Sequence, residues 1–83
     1  MKVAGRIHLV VDRRDNVCTL LDTNVQVDCL QGGMRIAIGV PFGHKIALVA
    51  IGHGDPVIKY GVTIGRTTED VAPGEHVHVH NCV

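Results

Sequence analysis

Apolar residues recur at every second position along most of this 83-residue chain, and Gly, Pro, Asn or Asp clusters cut across them roughly every ten residues. Side chains of a β-strand alternate between its two faces, whereas a helix repeats its apolar face every three or four residues. The pattern therefore predicts an all-β fold of short strands and many turns, with little helix. Ile7, Leu9 and Val11 alternate with Arg6 and His8, Val25 and Val27 with Asn24, Gln26 and Asp28, and Met34, Ile36 and Ile38 with Arg35 and Ala37. Each set is expected to form a half-buried strand. Breaks fall at Gly32-Gly33, Pro41-Phe42-Gly43, Gly52-His53-Gly54-Asp55-Pro56, Tyr60-Gly61 and Pro73-Gly74. In the last, proline presets φ at the first central position and glycine tolerates positive φ at the second, the requirements of a type II turn. Gln31 to Gly39 reads as non-helical because of its glycines and β-branched Ile36 and Ile38. Single helical turns are left open only near Asp70 to Pro73 and Val17 to Asp22.

The length allows one domain, residues 1–83, with a core small enough that packing against a partner chain or a second copy is expected. Lys plus Arg and Asp plus Glu balance at eight each, so no net field gathers phosphates or anionic lipid. Phe42 and Tyr60 are the only aromatics, which leaves no stacking platform for bases, and no nucleic acid partner is expected. Cys18, Cys29 and Cys82 are an odd set without Cys-x-x-Cys spacing, which favours a reducing, cytoplasmic setting over a disulfide framework. The opening Met1 to Val11 is too short an apolar run for a signal peptide or membrane span.

The segment that points to chemistry is His76-Val77-His78-Val79-His80-Asn81-Cys82. As one strand it puts Val77 and Val79 on one face and the three histidines on the other, with Cys82 sharing the histidine face. Imidazole ligates metals and transfers protons near neutral pH. At about 3.3 Å rise per residue His76 and His80 stand roughly 13 Å apart, too far for one ion. Neighbours two apart, such as His76 and His78, can share a metal if further ligands come from elsewhere. The same alternation also suits an ordinary solvated strand face. His44-Lys45 enters the apolar run Ile46 to Ile51, where loops commonly present function, and Lys59-Tyr60-Gly61 offers an amine and a phenol at a turn. His8 and His53 read as surface or loop residues. No Ser-His-Asp set, phosphate loop or paired carboxylates are present, so a complete catalytic apparatus in this chain alone is not expected.

Pro41-Phe42-Gly43-His44-Lys45-Ile46-Ala47-Leu48, Gly54-Asp55-Pro56-Val57-Ile58-Lys59-Tyr60-Gly61, Ile64-Gly65 and Ala72-Pro73-Gly74-Glu75-His76-Val77-His78-Val79-His80-Asn81 together resemble the SAF domain of the altronate and galactarate dehydratase family. Ile7-His8 and Asp15-Asn16-Val17 resemble the family's opening. The resemblance implies a β-clip fold, shared with type III antifreeze proteins and the C-terminal domain of sialic acid synthases. It also implies a lyase setting in which a large catalytic dehydratase subunit completes the site and a hydroxy acid loses water to give a 2-keto-3-deoxy acid. A divalent metal, iron or manganese, held mainly by that partner, would assist. An 83-residue chain ending after His80-Asn81 is similar to the separately encoded small subunit of sulfolactate sulfo-lyase. On this basis His78 and His80 are expected to transfer protons, His76 and His78 to ligate metal, and His44, Lys45, Lys59 and Asn81 to orient substrate. The uncharged Val49-Ala50-Ile51 and the presence of Cys82 depart from the family pattern and leave the substrate open. A non-catalytic binding or assembly module of the same fold is the alternative from a different class.

Overall fold

The computed structural model describes residues 5–83; Met1 to Ala4, which begin the opening segment considered for a leader, lie outside them. The described residues contain six strands and no helix: β1 (His8–Leu9), β2 (Val17–Leu20), β3 (Lys45–Ala47), β4 (Pro56–Lys59), β5 (Val62–Arg66) and β6 (His76–Val77). Accordingly, no helix among them is long and apolar enough to cross a membrane. A four-stranded antiparallel sheet runs β1-β2-β3-β6, and β4 and β5 form a separate hairpin. This is the all-β architecture that the alternation predicts, consistent with a β-clip-like domain.

The four-stranded sheet is buried on both faces at its centre. All four residues of β2 are buried, and their alternation feeds two cores. Val17, with Ala47 of β3 and Val77 of β6, packs against Ile51, Val57 and Val71. Cys18 and Leu20, with Ile46 of β3, pack on the other side against Leu30, Ile36 and Val40. The helical turn left open at Val17 to Asp22 is thus a central strand, because both faces of the segment find apolar partners. Asn16 ties the hairpin to this sheet, its side chain donating to the Pro56 carbonyl at 2.9 Å and accepting from Ile58 N–H at 2.7 Å.

The first alternation is reversed in phase. Ile7, Leu9 and Val11 are 47, 40 and 60% exposed, while Arg6 is fully buried. The guanidinium compensates for burial through an ion pair to Asp22 at 2.8 Å and donation to the Asp22 and Val40 carbonyls. Val25 and Val27 are half-buried as expected but lie in turns, not a strand. Met34 and Ile36 face inward whereas Ile38 is 62% exposed, and the segment forms no regular strand, contributing an isolated Cys29–Arg35 bridge instead.

The turns follow their residues more faithfully. Gly74 has φ of 85° and Glu75 N–H donates to the Ala72 carbonyl at 3.1 Å, closing the turn anticipated at Pro73-Gly74. Tyr60 and Gly61 both have positive φ, 56° and 72°, which matches the right-handed twist of the β4–β5 hairpin they connect.

Candidate functional site

Two sequence segments, 44–45 and 76–80, meet at the β6 edge of the sheet. β3 pairs with β6 so that Ile46 faces His76 and Lys45 faces Val77. One step further along that register His44 stands opposite His78, and residues opposite one another in an antiparallel pair share a face. The result is a stack: the His44 and His78 ring centroids are 4.0 Å apart with planes at 16°, and His76 and His78 are 5.6 Å apart at 15°. His44 Nδ1 and His76 Nε2 meet at 2.9 Å, so one of them carries a hydrogen and the other presents its lone pair.

Beyond His78 the expected strand does not continue. Asn81 N–H donates to the His78 carbonyl at 3.0 Å, folding residues 78–81 into a turn. The fully buried Asn81 side chain accepts from His78 N–H and donates to the His76 carbonyl, both at 2.9 Å. Two consequences correct the extended-strand picture. Val79 is 79% exposed instead of facing the core, and the His80 ring comes back to 5.2 Å from His76, not roughly 13 Å. Cys82, which a continuous strand would put on the histidine face, instead pairs with Thr67 and packs against the core that contains Val77.

Four of the predicted residues, His44, His76, His78 and His80, are therefore brought together, while Lys45, opposite Val77 in the register, shares a groove with His78 alone among them. His78 and Lys45, together with Ile64, Val77, Val79 and Cys82, line an open groove of about 240 Å³. Asn81 is buried beneath the cluster with both ends of its amide occupied by backbone. Lys59 lies at the tip of the other sheet, its ammonium 4.8 Å from the centroid of the Tyr60 ring, and no hydrogen bond or ring stacking among the described residues joins it to the histidines. The buried Arg6–Asp22 pair escaped sequence reading, because an arginine beside Ile7 and Leu9 looks like the polar half of an alternation.

Burial, then the proximity of His44, His80 and His78, pushes the His76 imidazole down to about 4. Burial, then His44, Lys45 and His80, lowers His78 as well. Both rings are thereby held neutral near pH 7, with lone pairs available to a proton or a metal. A ring nitrogen from each of His44, His76 and His78 lies within 4.8 Å of the other two. Neutral imidazoles at such spacing suit divalent iron on donor chemistry, so the residues present fit one of the two metals that the sequence resemblance implies, and fit manganese, which prefers oxygen ligands, less well.

Comparison with known proteins gives a consistent result. Residues 7–83 match the family model described as the altronate/galactarate dehydratase SAF domain. Altronate dehydratase of Bacillus subtilis is 54% identical over 98% of the chain, and that of Escherichia coli is 39% identical over 89%. The alpha subunit of (2R)-sulfolactate sulfo-lyase from Paracoccus pantotrophus is 54% identical over 52% of the chain. The alignments span 16% of either altronate dehydratase and 64% of the Paracoccus subunit.

Proposed function

Because the chain belongs to the altronate/galactarate dehydratase SAF-domain family, we propose that it supplies the histidine cluster to the active site of a sugar-acid hydro-lyase whose larger catalytic part completes the pocket. The observation that carries this reading is the convergence of His44, His76, His78 and His80 beside Lys45 at one sheet edge.

Loss of water from a hydroxy acid needs a base for the weakly acidic proton beside the carboxylate, charge stabilisation for the enediolate, and an acid for departing hydroxide. His78, neutral and at the groove, takes or relays the proton. His80, exposed on the returning turn, protonates the leaving hydroxide, and the enol then becomes the 2-keto-3-deoxy acid. Lys45 orients the substrate carboxylate across the groove. His76 would hold the metal, joined by His78 when its lone pair is not taking the proton, and Asn81 acts through the backbone that positions both. When bound, the metal, iron or manganese, would supply charge stabilisation at the enediolate. Lys59, on the separate hairpin, is given no step. The free thiols Cys18, Cys29 and Cys82 suit a cytoplasmic setting.

The test is reconstitution. The chain is mixed with a dehydratase polypeptide lacking its SAF domain, and water loss from altronate and galactarate is followed. Activity is expected to appear on mixing and to vanish with a doubly substituted His78→Ala/His80→Ala chain that still binds. A catalytic part fully active by itself would defeat the reading, and loss of association alone would point to an assembly module. The match to a sulfo-lyase alpha subunit favours one second reading, a small subunit acting on sulfolactate with a separate large subunit. Sulfite release by the same mixture would select it.

A further inference from the structure

We propose that this chain, without any partner, holds one divalent cation of borderline softness on the imidazoles of His44, His76 and His78. The inference deepens the lyase reading and rests on it for the location of the reacting site. It moves the metal from the partner to this chain, makes His44 a ligand instead of a substrate contact, and occupies the His78 lone pair, so that proton transfer falls to His80.

The geometry supports it in three ways. Two metal–nitrogen bonds of about 2.1 Å at a right angle put their nitrogens about 3.0 Å apart. His44 Nδ1 and His76 Nε2 stand at 2.9 Å, a separation that already suits two ligands of one ion lying off the line between them, once the two rings tilt to point their lone pairs at it. The third ligand atom, on His78, lies within 4.8 Å of the others. It needs a shift of roughly 1–2 Å to reach bonding distance, which a half-buried ring at the start of a turn can make by rotating.

The site is also built in advance. The β3–β6 register places His44 against His78, and the buried Asn81 amide fixes the backbone on either side of Val77. The backbone that carries the ligands is therefore ordered before the ion arrives and only the rings need adjust, which leaves more of the binding free energy for affinity.

Finally, the donor set selects the ion. All three ligands are nitrogen, and no carboxylate belongs to the group. Such a set favours zinc, cobalt(II), nickel and iron(II) over calcium and magnesium, which require oxygen. Three protein ligands leave further coordination positions open, the arrangement of a catalytic rather than a purely structural site.

The experiment titrates the full chain, alone and metal-free, with cobalt(II) followed by its visible absorption, and with zinc followed by calorimetry. One equivalent is expected to bind, with millimolar calcium or magnesium failing to compete. His44→Asn and His76→Asn should each weaken binding at least tenfold, while His53→Asn, in an exposed turn, leaves it unchanged. Nitrogen NMR of the unsubstituted chain guards against misfolded variants, since zinc should shift the ring nitrogens of His44, His76 and His78. Absence of saturable one-equivalent binding, undiminished binding in His44→Asn, or ring shifts confined to other histidines overturns the proposal. Neither partner nor substrate is used. A negative result with reconstituted activity intact would therefore remove this site and leave the lyase reading standing on a partner's metal.

Discussion

Asn81 shows how much one side chain can determine at a site it does not itself touch. Its amide accepts from His78 N–H and donates to the His76 carbonyl from a fully buried position, so the turn that returns His80 toward His76 depends on it. Replacing it with alanine leaves two backbone groups without partners in a place water reaches poorly. Such orphaned groups cost about 1–3 kcal/mol each. Asn81→Ala is therefore expected to lower unfolding free energy by about 3 kcal/mol in a urea melt, and to loosen the histidine stack. Asn81→Asp keeps the acceptor for His78 N–H but loses the donor to His76, and should fall between the two. The sequence displays this asparagine as the polar end of a histidine run, where it looks like a substrate contact. Only the three-dimensional turn reveals that its hydrogen-bonding capacity is already used.

At the scale of elements, the turns position the strands that carry the cluster. The Ala72–Glu75 turn aims β6 at β3, and Gly74 sits where its N–H donates to the Ala47 carbonyl at 2.7 Å while its own carbonyl accepts from Ala37 N–H at 2.9 Å. A methyl group there would meet the Arg35 carbonyl and would also require positive φ of a residue that avoids it. Gly43, which leads into His44, has a similar φ of 82° but open space around the added carbon. The two positions separate strain from collision. Gly43→Ala should cost about 1 kcal/mol, the backbone penalty alone, whereas Gly74→Ala should cost about 3 kcal/mol because the turn must also move. Paired thermal melts of the two variants check this, and equal destabilisation would show that the close approach to Arg35 is relieved without cost. These glycines were legible in the sequence, since Pro73-Gly74 and Pro41-Phe42-Gly43 announce turns by composition. The strand lengths were not, because β6 stops after two residues at a local turn closed by Asn81, which the alternation of the segment conceals.

Across the whole molecule, stability rests on two small cores separated by β2 and β3, closed at one side by the buried Arg6. Asp22 is held below the usual carboxylate range by donation from Ile7 N–H and by the Arg6 side chain, with Asn24 N–H adding to the same effect. A carboxyl lowered in the folded state favours folding fully above its unfolded value, about 3.9, and that contribution fades as pH falls through the lower folded value. The melting temperature should therefore drop on acidification below about pH 4, and Asp22→Asn should be less stable at neutral pH with a flatter acid limb. Retention of the full acid dependence in the Asp22→Asn chain would assign that dependence elsewhere. The sequence by itself determined that the chain is all-β, where its tight turns fall, and that three histidines alternate in one short segment, because these follow from residue order, local periodicity and the φ preferences of glycine and proline. Tertiary structure alone decided that Arg6 goes inside while Ile7 and Leu9 stay exposed, that Val79 turns outward, and that His44 joins His76, His78 and His80. Arg6 and His44 depend on strand register and on partners distant along the chain, whereas Val79 and His80 depend on a side chain a few residues away whose hydrogen bonds periodicity does not show.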